Sequence, residues 1–185
     1  QLLAHEVLAT GKPRHDVEIA LHKDAGTRHF EFNLSATTID GRQVLLIMVE
    51  EISQRKQTEE ELIHLATHDG LTGLPNRNLL QDRLRQALAA AERSGHQVGV
   101  MFLDLDRFKL INDSLGHEVG DLFISQIAMS LSHAVRNGDT VARLGGDEFV
   151  VMLPELTRQE DLLPVAQKIL ALLAQPLSIA GQELT

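Results

Sequence analysis

Apolar positions change their period along this chain, and the changes mark out its elements. Val17, Ile19 and Leu21 alternate with polar residues, Phe30, Phe32 and Leu34 alternate again, and Val44 to Val49 is an apolar run. Alternation with period two predicts half-buried strands. Asp24-Ala25-Gly26-Thr27 and Asp40-Gly41-Arg42 supply turns between them, so the first third predicts a three-stranded antiparallel meander. From Ser53 to about Ala66 the chain is rich in Gln, Glu and Lys, which predicts a charged helix with Ser53 as its N-cap. A seam through Ile52, Arg55, Glu59, Leu62 and Ala66 is only partly apolar, so this helix is either a solvated connector or pairs with its twin in a second copy. Asn78 to about Arg93, with Leu80, Leu84, Leu88 and Ala91, and Val119 to Val135, with Val119, Phe123, Ile127, Leu131 and Val135, predict amphipathic helices with core stripes.

Three segments predict a second sheet. Gln97 to Asp106 is apolar on both parities, Val98, Val100 and Phe102 on one and Met101, Leu103 and Leu105 on the other, which predicts a central strand with Asp104 and Asp106 sharing a face at its end. Thr140 to Leu144 and Phe149 to Leu153 predict two more strands around a hairpin tip, Gly145-Gly146-Asp147-Glu148. Two glycines permit positive φ and a close approach of ligand to backbone. Taken singly, Gly-Gly-Asp serves an ordinary turn with solvated acids, and Asp-Leu-Asp serves as strand-end caps. Taken together, they bring carboxylates to the ends of adjacent buried strands. That suits Mg²⁺, which prefers few carboxylates plus phosphate oxygens.

Composition narrows the classes. A formal charge of −9 with no basic face argues against general nucleic-acid binding. There is no Cys, hence no disulfide framework and no thiolate metal site, and none of the nine His forms a helical HExxH pair. His64, His68 and His117 read as surface or turn residues. No apolar run reaches the roughly 18 residues of a membrane helix and no signal peptide is visible, so the expected location is the cytoplasm, with any membrane anchor of the parent protein lying outside this sequence.

Three separated segments resemble one family. Phe102 to Asp121, FLDLDRFKLINDSLGHEVGD, and Arg143-Leu144-Gly145-Gly146-Asp147-Glu148-Phe149 are similar to the two long motifs of GGDEF domains, and Asp69-Gly70-Leu71-Thr72-Gly73-Leu74-Pro75-Asn76-Arg77 to the segment that opens them. The resemblance implies an α+β (α/β sandwich) fold of the nucleotidyl-cyclase, ferredoxin-like palm type. It implies diguanylate cyclase chemistry, in which two GTP molecules condense into cyclic di-GMP and two pyrophosphates leave. Asp104, the Leu105 carbonyl, Asp147 and Glu148 would then hold Mg²⁺ or Mn²⁺, with Asp147 or Glu148 taking the proton. Arg107, Phe108 and Lys109 would grip phosphates at a helix start, Gly145 and Gly146 would let the nucleotide approach, and Asn112 and Asp121 would read guanine. Arg136 and Asp139 stand where such domains carry an RxxD site for inhibition by cyclic di-GMP; otherwise they form a helix end and a polar turn. One domain binds one GTP in this family, which implies a homodimer.

The first third, with the junction Glu51-Ile52-Ser53-Gln54-Arg55-Lys56, resembles the C-terminal part of a PAS sensor domain. Its ligand is open between haem, flavin, small metabolite and none. The expected organisation is a partial PAS domain at 1–52, a helical linker at 53–66 and a GGDEF domain at 67–185, with both ends continuing in a longer parent. A rival expectation is a regulatory module that holds GTP or cyclic di-GMP and controls an attached phosphodiesterase domain. A purely structural PAS dimeriser ranks last, since it leaves the acids unexplained.

Overall fold

The computed structural model describes residues 2–23, 26–179 and 182–184. The chain divides into two compact units, Gln1–Ile63 and His64–Thr185.

The first unit holds α1 (Leu2–Thr10), β1 (Arg14–Lys23), β2 (Gly26–Ile39) and β3 (Arg42–Glu51), with β2 between its neighbours and all pairs antiparallel. The expected meander is present. Ile19 pairs with Phe30, Val17 and Val49 both with Phe32, and Ile47 with Leu34, so the alternating residues share one face. Helix α1, which the hydrophobic pattern did not predict, buries Val7. Asp24 and Ala25 of the first expected turn lie outside the described residues. Asp40 and Gly41, at φ +51° and +73°, form the second turn, because a two-residue hairpin loop needs left-handed backbone at both positions.

Helix α2 (Ser53–Thr67) starts where the charged pattern predicts. Ser53, however, is its first residue and not a cap. Its hydroxyl accepts the His29 N–H at 3.0 Å and donates to the Glu51 carboxylate at 3.0 Å, so it ties the helix to the strands. Glu18 and Glu31 face each other across β1 and β2. This like-charge pair is neutralised from α2 by Lys56 and Arg55, each at 2.7 Å.

The second unit holds α3 (Arg77–Ser94), β4 (Gln97–Asp104), α4 (Phe108–Leu115), α5 (His117–Ala134), β5 (Thr140–Gly145), β6 (Glu148–Leu156), α6 (Leu162–Leu173) and a short hairpin of β7 (Leu177–Ile179) and β8 (Gln182–Leu184). The main sheet has the order β4-β6-β5, all antiparallel. Among the described residues β6 lies between β4 and β5, and β4, expected to be central, stands at the edge. Phe149 to Leu153 are all buried, whereas Phe102 of β4 is 77% exposed. Alternate residues of β6 serve two cores. Phe149, Val151 and Leu153 pack with Ile124, Ile127 and Leu131 of α5, and Val150 and Met152 pack with Leu80 and Ala87 of α3. Burying these five side chains contributes roughly 10 kcal/mol before chain entropy is set against it. The helix stripes are rotated slightly from expectation, because packing against a twisted sheet decides the register. In α5 the buried row is Ile124, Ile127, Ala128, Leu131 and Ala134, and in α3 Ala87 and Ala91 take the core while Leu88 is 53% exposed.

Candidate functional site

Asp104 and Glu148 face each other where β4 and β6 meet at one end of the sheet. Strand β5 ends at Gly145 and β6 begins at Glu148, which leaves Gly146 and Asp147 as the hairpin tip. Gly145 and Gly146 stand at φ +137° and +54°, backbone that a side chain disfavours. The register steps between Arg143 and Gly145, so the tip twists away from β5. The last residue of β4, Asp104, lies opposite Glu148. Directly opposed residues share a face with Cβ atoms about 5 Å apart. Asp147 is half-buried beside them.

Beyond Asp104 the strand gives way to a turn, so Asp106 sits in that turn and does not share a strand face with Asp104 as expected. Arg107 closes it at φ +62°, left-handed backbone that costs a non-glycine residue about 1 kcal/mol. The Phe108 N–H donates to the Leu105 carbonyl at 3.2 Å, and the Leu110 N–H to the Arg107 carbonyl at 2.9 Å, which fixes the start of α4. The Leu105 oxygen keeps a second lone pair for a ligand. The Phe108 N–H, expected to meet phosphate, is already used inside the turn. Lys109 is exposed on the first turn of α4.

Asn112 and Asp121 come from different helices, α4 and α5. Asn112 packs its carboxamide on Gly120, the residue before Asp121. Among the described residues, no hydrogen bond or ion pair joins either of them to the hairpin tip.

Arg136 and Asp139 occupy the turn between α5 and β5. The Asp139 side chain is only 2% exposed. It accepts the Arg136 N–H at 3.2 Å and Nε at 3.0 Å, while Arg136 Nη2 donates to the Glu155 carbonyl at 2.9 Å. Asp139 thus shapes Arg136, and the arginine carries the exposed surface of the pair. Arg136 borders a cleft of about 530 Å³ that Glu155 and Lys168 also line.

Two further residues govern the tip. Arg143, 9% exposed in β5, donates Nε and Nη2 to the Gly146 carbonyl at 3.1 and 2.8 Å and Nη1 to Asp69 Oδ1 at 2.9 Å. Its N–H donates to the Pro75 carbonyl at 3.0 Å. Asp69 also accepts the N–H and Oγ1 of Thr72 at 2.9 and 2.6 Å. Burial pushes the Asp69 carboxyl up, but the hydrogen bonds from Thr72 and Arg143 and the arginine's charge outweigh it and hold it below its ordinary value. Both residues stand in the quoted motifs without an assigned role. The available signal was chemical: an arginine inside an apolar strand must be paired.

No three His, Cys, Asp or Glu side chains converge into a cation cage among the described residues. Asp104 and Glu148, opposed across β4 and β6, supply the one or two carboxylates with which Mg²⁺ is commonly bound, its other positions going to substrate oxygens. No helix among the described residues is long and apolar enough to cross a membrane.

Comparison with known proteins places the second unit. The bifunctional diguanylate cyclase/cyclic di-GMP phosphodiesterase MucR of Pseudomonas aeruginosa is 46% identical over 127 residues, 69% of this chain and 18% of MucR. The diguanylate cyclase TpbB of the same species is 44% identical over 137 residues, 74% of this chain and 32% of TpbB. A structure comprising only the TpbB GGDEF domain superposes with a TM-score of 0.62 at 44% identity, covering 64% of this chain and 69% of that one. The coiled coil and GGDEF domain of DgcB from Caulobacter crescentus, in complex with cyclic di-GMP, superposes with a TM-score of 0.64 at 28% identity, covering 71% and 69%. The chain thus spans a third or less of the two curated relatives. Residues 66–185 match the family model described as "Diguanylate cyclase, GGDEF domain", and the chain belongs to that family.

Proposed function

We propose that this chain is part of a diguanylate cyclase that condenses two GTP into cyclic di-GMP with release of two pyrophosphates. The observation that carries the reading is the pairing of Asp104 with Glu148 across β4 and β6, beside an Asp147 presented on a glycine tip. Asp104, the Leu105 carbonyl, Asp147 and Glu148 would hold a divalent cation, Mg²⁺ or Mn²⁺, jointly with the triphosphate. Such an ion neutralises charge on the leaving pyrophosphate and lowers the pKa of the attacking hydroxyl. Lys109, with the backbone around Arg107, steadies the terminal phosphates, and Asn112 and Asp121 fix the base. The 3′-hydroxyl oxygen of one GTP forms a bond to the α-phosphorus of the other. The α–β phosphoanhydride bond breaks, and Asp147 or Glu148 takes the hydroxyl proton.

A second nucleotide must come from a second copy, so the working form is a homodimer. Arg136 and Asp139 form the product site through which cyclic di-GMP inhibits, a reading supported by the exposed Arg136 and by the cyclic di-GMP complex of DgcB. The domain occupies 67–185, a helical linker 53–66, and the C-terminal part of a PAS sensor 1–52, of unknown ligand. The antiparallel meander and its tie to α2 through Ser53 support that last assignment. The domain works in the cytoplasm, where GTP is. The bifunctional name of MucR supports an attached phosphodiesterase, and in a second reading the domain regulates it.

The test is cyclic di-GMP and pyrophosphate formation by the full-length protein with GTP and Mg²⁺, beside Asp147→Asn. The expected loss is about 10²-fold or more in kcat. Undiminished turnover in the variant would remove Asp147 from the metal site. Tight GTP binding with no product under any dimer-promoting condition would favour the regulatory reading.

A further inference from the structure

The amide proposed to read the base and the residue that makes room for it lie on different helices. Asn112 belongs to α4, and Gly120 is buried in the first turn of α5. A Cβ placed on Gly120 would overlap Oδ1 of Asn112 and stand 2.9 Å from its Cγ and 3.5 Å from the Phe108 ring. Oδ1 is therefore the amide atom turned in against the α5 backbone. Nδ2, on the other side of Cγ, is turned away from it. Gly120 is not among the glycines at positive φ, so no backbone demand calls for glycine there. Helix propensity favours alanine in such a position. What the position requires is empty space.

We propose that Gly120 is a positioning residue for base specificity. By lacking a side chain it seats Asn112 with Oδ1 inward, which leaves Nδ2 as a donor to the O6 and N7 acceptors of guanine. Asp121, the next residue, accepts from guanine N1–H and N2–H₂. Adenine carries a donor where guanine has O6, so a fixed donor discriminates between them. A side chain at Gly120 forces the amide to swing or flip, and the discrimination falls. This rests on the reading of Asn112 and Asp121 as the guanine contacts.

The experiment is equilibrium binding of GTP and ATP to the full chain, by calorimetry, in wild type, Gly120→Ala, Asn112→Ala and the double variant. Gly120→Ala is expected to weaken GTP roughly tenfold, the size of one hydrogen bond to the base, and ATP by less than about twofold. In the Asn112→Ala background, where nothing overlaps the new Cβ, Gly120→Ala is expected to change GTP affinity by less than about twofold. A GTP:ATP ratio unchanged by Gly120→Ala, or an equal loss in both backgrounds, overturns the inference and leaves the guanine reading standing. A wild-type chain that binds both nucleotides equally overturns the two together. Should Gly120→Ala fail to fold, the double variant is expected to fold and to bind like Asn112→Ala. Failure of the double variant as well shows that Gly120 makes room for something other than Asn112, and overturns the inference.

Discussion

At the scale of single residues, Arg143 does most to hold the candidate site in shape. Its guanidinium joins two segments far apart in sequence, the Asp69 loop and the Gly146 carbonyl at the tip, and it is almost fully buried. Lysine cannot reproduce this, because it has one nitrogen where the geometry needs a fork of three. Arg143→Lys is expected to lower stability by about 2–4 kcal/mol in urea unfolding, since it leaves the Gly146 carbonyl and part of the Asp69 carboxylate without partners. The same pair makes a pH prediction with a definite sign. The folded chain holds the Asp69 carboxyl below its ordinary value, so the unfolded chain takes up the proton first as pH falls. The stabilisation is complete above the usual aspartate range and is lost as pH falls from that range through the lower folded value. Asp69→Asn is expected to flatten the acid limb of stability against pH in that window, and an unchanged slope would assign the loss to other carboxylates.

At the scale of elements, Asn76 joins two helices. Its Oδ1 accepts the N–H groups of Asn78 and Leu79 at 2.9 and 3.2 Å, capping α3, while its Nδ2 and N–H donate to the Ala66 and Thr67 carbonyls at the end of α2 at 3.0 and 2.9 Å. Asn76→Asp keeps the cap and loses the Nδ2 donor. Amide exchange is therefore expected to accelerate in the last turn of α2 and to stay unchanged at the start of α3, whereas Asn76→Ala disturbs both at a cost of about 1–2 kcal/mol. Elements of this kind were legible in the sequence to the extent that their determinants are local. The Asp40-Gly41 turn, the helix from Ser53 and the glycine tip at Gly145 each follow from a few adjacent residues. Which strand lies in the centre does not, because β4 and β6 are both apolar on two faces and only pairing tells them apart. The Arg143 to Asp69 contact spans 74 positions and leaves no periodic trace. The inward turn of Asp139 was equally hidden, since RxxD reads the same whether the acid faces solvent or its own arginine.

At the scale of the whole molecule, one copy offers one hairpin tip and one proposed pair of base contacts, while the proposed product contains two guanosine units. The proposed mechanism therefore needs two intact copies face to face, and that has a consequence in mixtures. If wild-type chains are mixed with an excess of Asp147→Asn chains that still fold and pair, wild-type chains meet mostly inactive partners. Activity per wild-type chain then falls in proportion to the wild-type fraction, about tenfold for an about tenfold excess of variant, by mass action alone. A site complete within one copy predicts no such fall. The measurement is initial cyclic di-GMP formation at fixed wild-type concentration, after the mixture has had time to exchange partners. The control is wild-type chain replacing the variant, which is expected to raise activity per chain and then level off as pairing saturates. Constant activity per wild-type chain across the series would show that one hairpin suffices, and the two-copy mechanism would have to be abandoned.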